Sequence, residues 1–319
     1  MRWRAVRIAG AVVLAATVAA ATAACSARPS DPPGQVFGSG STPAGAIVAI
    51  GAENQYADVI GQVGGKYVRA TAIMSNPNTD PHTFEASPRV AQQVSRAQLV
   101  VQNGLGYDGF MDTIENAAPN GSRKVIDVQH LLGLPDSAPN PHLWYKPGTM
   151  ATVATAVAAD LGAIQPAHAA YFKANATAFT NALAGWTAAL SAFKTKFPET
   201  AVATTEPVAD YLLAAAGAVN MTPWSFQADI MNGNDPSPQD LETMRRLFTG
   251  RQVTAFLYNQ QVTDSLTGSF ITLAHQNGIP VVGVYETMPT PGYDYQSWML
   301  AEVRALTKAV ASKTSTEHL

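Results

Sequence analysis

From Ala46 onward, short apolar runs alternate with stretches in which apolar residues recur every three or four positions, the pattern of strands exchanging with helices. In the first half the runs AIVAI, YVRATAI, QLVVQNG and KVIDV are separated by helical stretches at 53–63, 88–97 and 107–117. A second alternation begins near Thr200, with TAVATT, VTAFLYN and PVVGV as strands and helical stretches at 207–217, 238–248, 264–277 and 295–313. Strands feeding helices in this order predict mainly parallel sheets, so the expected class is α/β, built as two lobes.

Between the two alternations, Phe172, Ala176, Phe179, Leu183, Trp186, Leu190, Phe193 and Phe197 recur at spacings of four and three. That spacing predicts one long α-helix with a single apolar face. Pro166 suits its first turn, no proline interrupts the 31 residues that follow, and the helix would run about 48 Å. It is long enough to span both lobes. The expected organisation is an N-terminal lobe at 46–165, a linking helix at 166–197 and a C-terminal lobe at 198–319.

The first 45 residues follow neither period. Arg2, Arg4 and Arg7 precede an apolar run from Ile8 to Ala24, which predicts a signal peptide over 1–24. The small residues Ala23 and Ala24 before Cys25 resemble the lipobox of bacterial lipoproteins, and Cys25 is the chain's only cysteine, so no disulfide competes for it. The expected product is lipidated at Cys25 and anchored to the cell membrane on its outer side. The stretch that completes 25–45 is dominated by Ser, Gly and Pro and is expected to be a flexible tether. Overall, 47% of residues are apolar and 13% charged, with a net charge of −3 and no long block of one sign. Nucleic acid is therefore excluded as a partner, and a small ligand and a monomer are expected.

Four segments put a metal-ligating side chain in a loop or at a strand end. They are NPNTDPHTFEASP with His82, NPHLWYKP with His142, TTEPVADYL with Glu206, and VVGVYETMP with Glu286. Ligands of open parallel sheets gather at the carboxyl ends of strands, where three of the four candidates stand. Two neutral imidazoles and two carboxylates carry a formal charge of −2, which one divalent cation neutralises. Asp80 and Glu85 flank His82 and are candidates to accept its second ring N–H. Asn54, Tyr258, Asn259 and Gln260 also sit at expected strand ends, but turn residues there are common without function. His130, His168, His275 and His318 lack comparable framing, and Trp144, Trp224 and Trp298 read as core or cleft lining.

The Asp-Pro-His loop and the Pro-His-Leu-Trp segment together resemble the lipid-anchored solute-binding proteins of zinc and manganese ABC importers, over residues 46 to 313. That resemblance implies two α/β lobes joined by one long helix and a metal site at His82, His142, Glu206 and Glu286. It also implies an ABC importer permease as partner. Lys146 stands where relatives often carry an acid, and the histidine-rich loop of some zinc members is absent. Zn2+ is the expected ion on affinity order, with Mn2+ next because a carboxylate at Glu206 permits a higher coordination number. The competing readings are an exported zinc hydrolase, which has no H-E-x-x-H here to support it, and a binder of an organic ligand or metal chelate on the same fold. No enzymatic activity is expected.

Overall fold

A computed structural model of the chain describes residues 36–37, 45–76, 84, 87–289 and 291–319. Cys25, Asp80, His82 and Glu85 lie outside the described residues.

The N-terminal sheet contains β1 (Val36–Phe37), β2 (Ile47–Glu53), β3 (Val68–Met74), β4 (Leu99–Gln102) and β5 (Lys124–Asp127), in the order β1-β3-β2-β4-β5. All pairings are parallel except that of β1, which runs antiparallel to β3 with Val36 opposite Thr71. Val36 and Phe37 fall inside the 25–45 stretch expected to be a tether; Val and Phe have high strand propensity, unlike the Ser, Gly and Pro around them. The C-terminal sheet is fully parallel, formed by β6 (Ala201–Thr204), β7 (Val219–Asn220), β8 (Ala255–Asn259) and β9 (Val281–Val284) in the order β7-β6-β8-β9.

In each sheet alternate residues feed opposite faces, as the strand period requires. Ala49 and Leu257 join the core shared with the linking helix, while Ile50 and Phe256 pack into separate clusters on the outer faces. Both sheets are thus covered on two sides, as parallel sheets must be.

The linking segment keeps the expected face but not an uninterrupted hydrogen-bond ladder. A 3-10 turn at Pro166–His168 leads into helix Ala169–Ala182, and helix Ala184–Lys196 follows after the single residue Leu183. Leu183 keeps right-handed helical dihedrals, but its N–H bonds to Thr180, three residues back. The apolar stripe passes through this lapse, since Phe172, Phe179, Leu183, Trp186, Leu190 and Phe193 are all buried. Trp186 and Phe179 pack on Tyr295 at the start of the last helix, Tyr295–Ser312. Asp294 caps that helix through a capping box with Ser297, as Asp264 does with Thr267 for helix Ser265–Gln276.

In both sheets the strand order reverses at a central strand. In the N-terminal lobe β3 lies to one side of β2 and β4 to the other; in the C-terminal lobe β7 and β8 flank β6 in the same way. The carboxyl ends of the strands at such reversals frame the crevice where doubly wound sheets bind ligands. Here those ends carry Glu53 at the end of β2, Asn103 after β4, Glu206 after β6 and Asn259 at the end of β8. Gly51 lets β2 and the helix Asn54–Gly64 come together, because a Cβ there would stand 2.3 Å from the Ala57 amide nitrogen. Among the described residues no helix is long and apolar enough to cross a membrane.

Candidate metal centre

His142, Glu206 and Glu286 are brought together from three separate segments and are all buried, none more than 2% exposed. Among the described residues no group of three or more His, Cys, Asp or Glu side chains has the spacing of a ready coordination shell. The three residues are held by protein hydrogen bonds instead. His142 Nε2 lies 3.4 Å from Glu286 Oε2, and Asn259 spans the two carboxylates, its Nδ2 donating to Glu206 Oε1 at 3.1 Å and to Glu286 Oε1 at 2.7 Å. The Asn259 amide is oriented by its other end, where Oδ1 accepts the Gln261 backbone N–H.

The tautomer of His142 follows from its neighbour. Asn140 Oδ1 accepts the His142 backbone N–H at 3.0 Å, so this atom is an oxygen, and it lies 2.8 Å from His142 Nδ1. Nδ1 must therefore carry a proton, and in the neutral ring Nε2 presents its lone pair towards Glu286. A lone pair facing a carboxylate oxygen is repulsive unless a proton or a metal cation stands between them. Asn140 is itself fixed by the bond from its Nδ2 to the Pro207 carbonyl, so the segment bearing His142 is docked to the residue that follows Glu206. Supporting partners of this kind typically account for 10- to 100-fold in metal affinity. Asn140→Ala should accordingly weaken ion binding by about 10- to 100-fold with little change in fold, measured by competition against a chelating dye; wild-type affinity would show that the ring needs no such partner.

Glu286 is engaged from several sides. Gln261 Oε1 accepts the backbone N–H groups of Glu286 and Thr287 at 2.7 and 2.8 Å, which fixes the turn after β9. Tyr107 donates its hydroxyl to Glu286 Oε2 at 2.9 Å from the opposite lobe. Further bonds across the lobes run from Gln55 Nε2 to the Glu286 carbonyl, and between the Asn54 side chain and both backbone groups of Met288. Trp144 packs edge-on to His142 and against Tyr107, sealing the imidazole from water.

Sequence reasoning missed Asn140, Tyr107 and Glu53 and discounted Asn54 and Asn259. The carboxylate of Glu53 is fully buried, and among the described residues no other residue donates a hydrogen bond to either oxygen. Burial first, then the charge of Asp108 and least that of Glu286, push its pKa well above the usual carboxylate value, against the lowering effect of its own backbone N–H. Of the set-aside residues, His130 is exposed beside Asp127, His275 pairs with Glu317 on the surface and His168 stacks on Tyr67, so they serve ordinary local roles. Lys146 lies over the Tyr211 ring. Trp144 and Trp298 are core, but Trp224 is 43% exposed at the start of helix Trp224–Met231, which corrects the expectation that it lines core or cleft.

A family model described as zinc-uptake complex component A, periplasmic (ZnuA), matches residues 52–309. The manganese-binding lipoprotein MntA of Bacillus subtilis is 22% identical over 237 residues, 70% of this chain and 74% of that one. The periplasmic zinc-binding protein TroA of Treponema pallidum superposes with a TM-score of 0.69 at 18% identity, covering 85% of this chain and all of that one. The solute-binding protein FpvC of Pseudomonas aeruginosa, solved with Mn2+, gives 0.68 at 20% identity over 83% of this chain and 98% of the other. At such identities the structural likenesses speak for the fold: two α/β lobes and a long connecting helix.

Proposed function

We propose, from the premise that the chain belongs to the ZnuA family of periplasmic metal-binding transport components, that it captures one divalent transition-metal ion between its lobes and passes it to the permease of an ABC importer. The observation that carries this reading is the buried His142–Glu286 pair, with Nε2 and Oε2 3.4 Å apart. A divalent cation between them takes a coordinate bond from each, with the ring neutral and Nε2 as its donor. Glu206, held to Asn259 through Oε1, is the third donor, and His82 completes the set from the Asp-Pro-His loop.

Two imidazoles and two carboxylates suit Zn2+, which also leads Mn2+ in intrinsic affinity for nearly any nitrogen and oxygen site. One relative named for manganese and a structural neighbour named for zinc are consistent with a donor set that takes either. A hydrolase would need an open coordination position and a path for its substrate, whereas these donors are walled in by Trp144, Tyr107 and Asn259. Cys25 carries the lipid anchor, which keeps the trap near the permease and raises its effective concentration there.

Delivery is tested in cells. Deleting this protein should abolish high-affinity accumulation of radiolabelled zinc or manganese under metal limitation, and the wild-type chain should restore it. Uptake that survives the deletion would refute the transport role.

A further inference from the structure

We infer that Glu53 is a third carboxylate of the metal site, an oxygen donor to the bound ion that moves the site's preference from Zn2+ towards Mn2+. This inference rests on the metal-binding reading above and adds to it a residue outside the four-donor set.

Three independent observations place Glu53 there. The first is topological: Glu53 ends β2, the strand at which the N-terminal sheet reverses, as Glu206 and Asn259 stand at the corresponding reversal of the C-terminal sheet. The second is its attachment. Asn54 and Gln55, the next two residues, are bonded to Met288 and Glu286 by three hydrogen bonds of 2.7 to 3.2 Å, so the end of β2 is pinned to the turn that presents Glu286. Glu53 and Glu286 also act electrostatically on the same Tyr107 hydroxyl.

The third is the state of the carboxylate. Glu53 is 0% exposed, and among the described residues neither oxygen accepts a hydrogen bond from another residue. Buried polar groups are almost always satisfied, because an unpaired one loses its water without gaining a partner and an unpaired charge loses more. Asn54, Gln55 and Asn103 around it all make side-chain hydrogen bonds, so donors were available to the fold and none was spent on Glu53. A cation resolves the deficit by supplying the partner that the protein does not.

The consequence concerns selectivity. Four donors, two of them imidazole, fit tetrahedral Zn2+; a fifth donor that is a hard oxygen suits Mn2+, which takes higher coordination numbers and carboxylate-rich sites. The added negative charge falls on a cluster whose oxygens already accept from Tyr107 and Asn259, which spreads it.

The test uses the full-length protein in detergent, metal-stripped and titrated separately with Mn2+ and Zn2+, in wild-type and Glu53→Gln forms. Glu53→Gln keeps the shape and removes the charge. It should weaken Mn2+ at least about 10-fold while changing Zn2+ by less than about threefold, and the electron paramagnetic resonance spectrum of bound Mn2+ should alter. Glu53→Asp, which retains charge but falls short by one methylene, should lie between and serves should the Gln form not fold. Wild-type protein that binds neither metal would overturn the underlying metal-binding reading. Wild-type binding with equal losses of both metals, or none, and an unchanged Mn2+ spectrum would overturn the role of Glu53 alone.

Discussion

Replacing His142 with alanine should lower affinity for the bound ion by well over 100-fold while leaving the fold intact. Losing a residue that merely supports a ligand costs about 10- to 100-fold, and a direct donor is worth more. The ring is buried, and its Nδ1 is committed to Asn140, so no other nitrogen can take the place of Nε2. Glu286→Gln should behave similarly, because Tyr107, Gln261 and Gln55 continue to hold residue 286 in place while the charge opposite His142 is gone. Titration calorimetry on each variant, with a thermal melt of the metal-free protein as the control for folding, measures both effects. Affinity within about threefold of wild type for either variant would remove that residue from the site.

The second large effect is on stability. Glu302 is buried in the last helix, where Oε1 accepts from Trp298 Nε1 and from Tyr145, whose hydroxyl also reaches the Tyr285 carbonyl next to Glu286. Burial raises its pKa from 4.5 to about 8, against the lowering effect of those two hydrogen bonds. A carboxyl whose folded pKa is raised binds its proton more tightly in the folded state. Its contribution is therefore most favourable below the unfolded value, declines as pH rises from about 4.5, and is fully lost above about 8, where the fold must carry a buried charge. Between pH 5 and 8 the decline amounts to roughly 3 kcal/mol. Glu302→Gln keeps the acceptor oxygen and cannot ionise, so its advantage over wild type should grow by about that amount from pH 5 to 8 in denaturant unfolding. Asp58, raised to about 6, and Asp108, raised to about 7, are common to both proteins and cancel in the difference. Parallel curves would show that Glu302 is not held neutral by the fold.

Much of this architecture was legible because it rests on periodicity. The apolar stripe from Phe172 to Phe193 is buried as its spacing required, and Pro238 and the Asp264 capping box begin their helices where expected. What escaped has no periodic signal. Val219–Asn220 is too short for a pattern, and Leu183 breaks the ladder without breaking the stripe.

The site divides in the same way. His142, Glu206 and Glu286 stood out because proline-framed loops and strand ends draw attention to chemistry-bearing side chains. Glu53 did not, because an acid at a helix start is ordinary, and only the strand order reveals that β2 is the strand at which the sheet reverses. Asn140 carried a readable signal: its side-chain oxygen accepts from the backbone two residues on, the habit of Asn before a turn, and that residue is His142. Asn259 was seen at a strand end and discounted, since its bridge between two glutamates joins residues 53 and 27 positions away.

The measurement that bears most directly on the central claim is the metal content of the metal-loaded, desalted protein. One equivalent of a divalent transition metal per chain is expected, falling towards zero in His142→Ala. A wild-type protein that retains no stoichiometric metal, or a His142→Ala form that retains a full equivalent, would contradict the account.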